Sequence, residues 1–320
     1  MRDTNAIYTM MCKISRINIM SEMDFEILLI GFNRPNLLKK NIKKLIKTTN
    51  SQIYISVDGP RKGNSSDKER CQEIRDYLTD LNRLDRIHVN IEQSNMGCKA
   101  AVEKAIDWFF SNVKAGIILE DDCVPSDNVY DYVNHCMIEL KKRSDIFALN
   151  LTSFKDSNKK NMRCELTKYI HVWGWATTAE NWKKYRLDIP VLDTVALQAW
   201  AFDRREQHAW RKNFKLVRSG KIDTWDYDLQ WFLIRNRKYC VVPPVNFIQN
   251  VCFDENATHT KTSPTYLPLI ELAKQSFNPK FLKIEKEYNS MSDIKNYKLK
   301  FRNPSIFQKL LSKLRMLYSK

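Results

Sequence analysis

Phe25 to Phe32 (FEILLIGF) is an almost unbroken apolar run that stops at Asn33, Arg34 and Pro35, the pattern of a strand buried on both faces. A helix is expected next, because Pro35 suits a first turn and Leu37, Leu38, Ile42, Leu45 and Ile46 recur at helical spacing among lysines. Gln52 to Asp58 (QIYISVD) reads as a second strand closed by Gly59 and Pro60. Residues 66–80 read as a helix, Arg86 to Gln93 alternates as a strand, and a helix over about 97–110 leads into Ala115 to Glu120 (AGIILE), another strand. Ser126 is the expected N-cap of the following helix, in which Val129, Val133, Met137 and Leu140 mark one face. Repeated alternation of strand and helix predicts an α/β fold with a central, mostly parallel sheet flanked by helices. Such sheets bind ligands at the carboxyl ends of their strands, so the polar residues where apolar runs stop are the candidates for chemistry.

The second half is less regular. Ile146 to Leu151 and Tyr169 to Thr177 are strand-like, 178–212 mostly helical, Trp225 to Asn236 an amphipathic helix and Tyr239 to Val242 a short strand, with a polar loop over 254–263. The expected organisation is an N-terminal extension (1–24), one main domain (25–265) and a basic helical appendage (266–320). From Asn303 to Lys320, Ile306, Phe307, Leu310, Leu311, Leu314 and Leu317 fall on one side and Lys309, Lys313 and Lys320 largely on the other, an amphipathic basic helix.

Composition narrows the classes. A chain of 320 residues with 43% hydrophobic and 11% aromatic residues can bury a core, which excludes wholesale disorder. The 7 glycines are too widely spaced to write a GxGxxG fingerprint or a GxxxxGK[ST] phosphate loop. The net charge of +16 suits an acidic partner, yet from Lys280 to Lys320 there are 11 Lys or Arg against 3 Asp or Glu, so half of the excess lies in the tail. A nucleic-acid-binding protein is the chief alternative from another class. It wants basic residues interleaved with aromatics on the binding domain, whereas the strand ends here are acidic, so no nucleic acid is expected. The 8 cysteines show no CxxC pair, which reads as scattered thiols in a cytoplasmic protein. The first 24 residues lack the apolar stretch of a secretion signal, and no run approaches the ~18 apolar residues of a membrane span. Membrane contact is therefore expected to be peripheral, with the basic tail either on the anionic inner face of the cell membrane or docked on the domain.

The sharpest chemical signal is Glu120-Asp121-Asp122 directly after an apolar strand. Like charges there call for a cation, and Mg²⁺ or Mn²⁺ takes one or two carboxylates from protein and the rest from phosphate and water; an acidic turn before the next helix is the alternative. Asp58 in VDGP either accepts from a base or ribose or opens a turn. Arg34 could reach a phosphate or sit on the surface, and Asn95, Gly97 and Lys99 precede a helix whose start suits a diphosphate. Asp226, between Trp225 and Tyr227, is a candidate general base or an acidic first turn. Trp173 and Trp175, with Gly174 between them, either floor a sugar-binding surface or pack in the core, and His259 lies in the loop DENATHT as a phosphate or metal contact or an exposed side chain.

Taken in order, IGFNRP, ISVDGP, NMGCKAAV, IILEDDCVPS, HVWGWAT, TWDYDLQW and FDENATHT resemble a nucleotide-diphosphosugar glycosyltransferase of the GT-A fold, closest to bacterial relatives of the N-acetylglucosaminyltransferase I group. The resemblance spans roughly residues 25–263 and implies a Rossmann-like sheet. It implies that Asp122 touches a Mn²⁺ or Mg²⁺ ion, with Asp121 and His259 as further candidate ligands. It also implies that Arg34, Asp58, Asn95, Lys99, Glu120, Asp121 and His259 surround the donor and that Asp226 is the catalytic base, with Asp228 an alternative because TWDYDLQW carries that additional acid. Trp173 and Trp175 would then meet the acceptor. The implied reaction is inverting transfer of a hexosyl or N-acetylhexosaminyl group from a nucleotide sugar, a UDP-sugar before others. The implied acceptor is a hydroxyl of a glycan or lipid-linked molecule in bacterial surface polysaccharide synthesis. A nucleotidyltransferase making sugar nucleotides would share the sheet but wants a glycine-rich loop after the first strand, which IGFNRPN lacks.

Overall fold

The computed structural model describes residues 25–81, 84–154, 163–188, 190–251, 282–291 and 293–294. The apolar runs of the first half become strands β1 (Glu26–Gly31), β2 (Ile53–Val57), β3 (Ile87–Ile91) and β4 (Ala115–Glu120), separated by helices α1 (Pro35–Thr48), α2 (Ser65–Leu81) and α3 (Cys98–Asn112). These four strands are parallel, with β1 between β2 and β4. Their side chains alternate between two cores. Ile27, Leu29, Ile55 and Ile117 meet α1, α2 and α4 (Val129–Lys142) on one face, and Leu28, Ile30, Tyr54 and Ile118 meet α3 on the other. Burial on both faces is why these segments read as unbroken apolar runs.

Beyond β4 the sheet continues through β8 (Trp175–Thr178), β6 (Ile146–Asn150), β9 (Tyr239–Val242), β7 (Arg163–Thr167) and β11 (Lys283–Ile284), giving the order β11-β7-β9-β6-β8-β4-β1-β2-β3. β8 runs antiparallel to both β4 and β6, while β6 and β9 are parallel. The expected α/β architecture with a mostly parallel, helix-flanked sheet is the one the chain adopts. Helices α5 (Ala179–Arg186), α6 (Thr194–Trp200), α7 (Arg204–Arg218) and α8 (Asp226–Asn236) resolve the region expected to be mostly helical. α6, α7 and α8 build a third cluster around Trp200, Trp210, Phe214 and Trp231. A separate ribbon pairs β5 (Cys123–Pro125) with β10 (Ile248–Asn250).

Three expectations change. The strand expected over Tyr169 to Thr177 begins only at Trp175, the start of β8. Ser126 is not the cap of α4, whose N-cap is Asn128, with no side-chain bond to the helix amides; Ser126 instead donates its amide to Phe247 O at 2.8 Å and follows β5. Trp173 and Trp175 do not share a face, because Gly174 between them has φ +74° and breaks strand alternation. Trp173 packs on the α1 side of the sheet and Trp175 in the opposite core. Among the described residues no helix is long and apolar enough to cross a membrane. The tail helix expected over 303–320 and the loop bearing His259 lie outside the described residues.

Candidate active site

The chain passes from β1 to β2 and β3 on one side of the sheet and then returns to β4 on the other, so β1 and β4 flank the point where strand order reverses. Ligand clefts of open α/β sheets form outside the carboxyl ends of strands at such a point. A cavity of about 850 Å³ lies there, lined among others by Gly31, Arg34, Asp58, Glu120, Trp173 and Asp226. The acidic motif leaves the end of β4 and is held by the β5–β10 ribbon, where Val251 N donates to Asp122 O at 3.0 Å and Asn41 Nδ2 of α1 donates to Cys123 O at 2.8 Å.

Arg34, the N-cap residue of α1, closes over two of the three acids. Its Nε and Nη2 donate to Asp121, the former at 3.1 Å, and its Nη1 donates to Asp122 Oδ2 at 3.1 Å. Cys123 Sγ donates to the other Asp122 oxygen at 3.3 Å. Burial pushes Asp121 up to about 6, against the pull of Arg34 and with a further push from Asp122. Glu120 is pushed up to about 8 by burial and by the charges of Asp122 and Asp121, with Arg34 opposing. No hydrogen bond reaches its carboxylate from the described residues. One guanidinium thus faces three carboxylates, a set that fits a second cation taking its remaining oxygens from a phosphate and water. Among the described residues no three His, Cys, Asp or Glu side chains converge to hold an ion unaided.

Asp58, at the end of β2, is 8% exposed and fully engaged. It accepts from Gly59 N at 2.8 Å, Met96 N at 3.0 Å and Asn95 Nδ2 at 2.7 Å, so it latches the loop after β2 to the loop before α3. Burial raises its pKa, offset by the Met96 and Gly59 amides. A Cβ on Gly59 would sit 2.4–2.6 Å from the Ser94 backbone, so the latch requires glycine there. Asn95 lines the same cavity.

The start of α3 is capped from a distant part of the chain. Its N-cap is Gly97 at φ +82°, without a side chain, and the Asp223 carboxylate accepts from Cys98 N at 2.7 Å and Lys99 N at 3.1 Å. The amides expected to meet a diphosphate are therefore bonded to Asp223. Lys99 is also directed elsewhere, its Nζ pairing with Asp228 together with Arg218. Asp228 is 2% exposed in that pair and does not line the cavity, whereas Asp226 at the first position of α8 does, with Thr224 Oγ1 donating to its Oδ1. Asp226 is close enough for its charge to add to the upward push on Glu120.

Trp173 reaches the cavity, with its ring edge-on to Phe154 at 6.0 Å. Trp175 does not; it is 0% exposed and stacks against Trp225 at 5.8 Å and 25°. The structure thus brings together Arg34, Asp58, Asn95, Glu120, Asp121, Asp122, Trp173 and Asp226, and leaves Lys99, Asp228 and Trp175 behind the wall. Sequence reading missed Asp223, Arg61 and Lys221, all on the cavity wall. The one available signal was a helix beginning after a bare glycine, which needs its cap from elsewhere.

No protein-family model matches the chain, and no curated protein matches it. Among solved structures it is similar to S. aureus TarS 1–349, at 10% identity and TM-score 0.41 over 70% of this chain, which spans 60% of the TarS chain. It is similar to mouse xyloside xylosyltransferase 1 in its apo form, at 8% identity and TM-score 0.37 over 68% of this chain and 84% of that one. HddC from Yersinia pseudotuberculosis aligns at 10% identity and TM-score 0.28 over 49% of this chain and 77% of that one. Likeness at this level bears on neither activity nor substrate.

Proposed function

We propose that the chain is a metal-dependent glycosyltransferase of the GT-A kind, moving a hexosyl or N-acetylhexosaminyl group from a nucleotide-diphosphate donor, a UDP-sugar before others, to an acceptor hydroxyl with inversion. The observation that carries this is the meeting of Glu120, Asp121 and Asp122 with Asp226 around one cavity at the switch point of the sheet. The kinship with the N-acetylglucosaminyltransferase I group and a place in surface polysaccharide synthesis belong to the same reading.

In this reading the anomeric carbon loses the nucleoside diphosphate, which leaves with the bonding electron pair, while the acceptor oxygen forms the new bond from the opposite face. Asp226 takes the acceptor's proton. Thr224, donating to Asp226 Oδ1, orients it and leaves the other oxygen for that task. Asp122, with Asp121 and His259 as further candidates and Glu120 beside it, would hold a Mn²⁺ or Mg²⁺ ion, which when bound offsets charge on the departing diphosphate. Arg34 keeps Asp121 and Asp122 fixed and presents its guanidinium on the same wall, where it adds positive charge beside the leaving group. Asp58 and Asn95 shape the nucleoside end by holding two loops together, and Trp173 offers an aromatic face to the acceptor sugar. Both substrates are thereby held in line, and positioning of this kind supplies much of the rate.

The test is hydrolysis and transfer of each nucleotide sugar by purified protein with Mn²⁺ or Mg²⁺. Asp122→Asn and Asp226→Asn are each expected to lower turnover at least ~100-fold with the circular dichroism unchanged. Wild-type turnover by either variant removes that residue from its role, and full activity in EDTA removes the ion.

A further inference from the structure

Helix α7 carries Arg204, Arg205, Arg211, Lys212, Lys215 and Arg218 against one acid, Glu206, which is 0% exposed and bonded to Tyr169 and Phe202. At about 100° per residue the cations and His208 fall within an arc of about 140°, while the buried Trp210, Phe214 and Val217 point the opposite way, Trp210 and Phe214 into the third cluster. Arg204, His208, Lys212 and Lys215 form one stripe along the outer face, all exposed.

None of Arg204, Arg205, Lys212 and Lys215 makes an ion pair among the described residues. Arg211 Nε is likewise left without a hydrogen-bond partner among them. On the other lysine-rich helix, α1, Lys39 pairs with Glu73 and Lys44 with Asp127, while Lys40, Lys43 and Lys47 make no ion pair among the described residues and serve below as the control for charge alone. On α7 the nearby Asp203 is committed as the N-cap, accepting from Glu206 N at 2.8 Å. Apart from Arg218, which pairs with Asp228, the cations of the α7 face are uncompensated among the described residues, and the face has a direction. Three residues past Arg218 the chain reaches Lys221, which lines the cavity beside Asp223 and Asp226.

The absence of apolar residues from this face separates the classes of partner. No exposed large hydrophobic side chain lies on α7, so the face has nothing to insert below a lipid headgroup layer. None of the exposed large hydrophobics of the described residues is aromatic, so bases would find no stacking platform. What remains is charge arranged in a line that ends at a cavity.

We propose that the outer face of α7 docks an anionic acceptor, a chain carrying phosphate or phosphodiester groups, and leads its reacting end past Lys221 to Asp226. As an acceptor surface this rests on the transferase reading; as an anion-binding surface it does not.

The experiment compares three full-length proteins: wild type, Arg205→Gln/Lys212→Gln/Lys215→Gln on α7, and Lys40→Gln/Lys43→Gln/Lys47→Gln on α1, which loses the same charge from exposed positions of another helix. Binding of fluorescent inorganic polyphosphate is measured from about 50 to 200 mM salt. The α7 variant is expected to lose at least ~10-fold in affinity near 0.1 M salt and to flatten the salt slope by about 2, since each lost phosphate contact removes roughly 0.7 to 0.9 of slope. The α1 variant is expected to stay within ~3-fold of wild type, as diffuse surface charge predicts. Equal losses in the two variants, or none in the α7 variant, overturn the proposal. So does tighter binding of single-stranded RNA than of polyphosphate of equal charge, or α7-dependent binding of phosphatidylglycerol vesicles without polyphosphate binding. Donor hydrolysis by the same proteins is scored in parallel. Hydrolysis unchanged in the α7 variant with polyphosphate binding lost supports an acceptor surface separate from the donor site. No hydrolysis by any protein with α7-dependent binding refutes the transferase reading and its acceptor clause while the anion surface stands.

Discussion

Asp67 ties two strand ends together from the first turn of α2. It accepts from Asn33 Nδ2 at 2.7 Å after β1 and from Arg61 Nε and Nη2 at 2.5 and 3.0 Å after β2, and it is 2% exposed. The hydrogen bond from Arg61 holds its carboxyl below the usual range. A depressed folded pKa adds stability that is complete above the unfolded value near ~4 and is lost as pH falls through the folded value. Asp67→Asn is therefore expected to cost about 1–2 kcal/mol at pH 7 in urea unfolding, with the gap to wild type closing below about pH 4. A gap that persists at pH 3 would assign the loss to packing. Nothing in the sequence marked Asp67, since an acid in the first turn of a helix is expected for the helix dipole alone and its partners come from other elements. Glu120, Asp121, Asp122 and Asp226 were readable for the opposite reason: each stands where a pattern breaks, at a strand end or a helix start.

At the level of elements, the parallel strands were the easiest to read, because burial on both faces writes them as apolar runs. β7 (RCELT) was missed; it is short, carries charge and becomes a strand through β9 and β11, which lie far away in sequence. The β5–β10 ribbon of three-residue strands has no local period to read at all. The α3 start shows the same limit at a functional wall, since its cap is Asp223, 125 residues from Cys98. Asp223→Ala is expected to cost about 1 kcal/mol, as loss of a helix cap does. It should also abolish exchange protection of the Cys98 and Lys99 amides in hydrogen-exchange measurements while the middle of α3 stays protected. Unchanged protection of those two amides would show that the bond does not persist in solution.

Over the whole molecule, one sheet runs from β3 to β11 without a break, and the core on each face extends across several of its strands. Tryptophans report on separate parts of it: Trp175, Trp182 and Trp225 in one cluster, Trp200, Trp210 and Trp231 in another. Unfolding followed by tryptophan fluorescence and by far-ultraviolet circular dichroism is expected to give coincident midpoints. Separate midpoints would show that the α6–α8 layer melts on its own. The α/β class was readable in the sequence because alternation is a whole-chain property, whereas the insertion of β8 between β4 and β6 was not, being fixed only by long-range pairing.

The bridge from Lys99 to Asp228 joins residues 129 apart, and the Asp223 bond to Lys99 lies beside it. During synthesis, the first four parallel strands emerge from the ribosome long before either acid exists, so the α3 amides and the Lys99 ammonium face water until the last third of the chain arrives. A nascent chain halted before residue 223 can carry the acidic motif but cannot enclose it. The completed pocket is thus a late event in the life of each molecule, and premature release would leave a half-built, charged crevice open to whatever anions surround it.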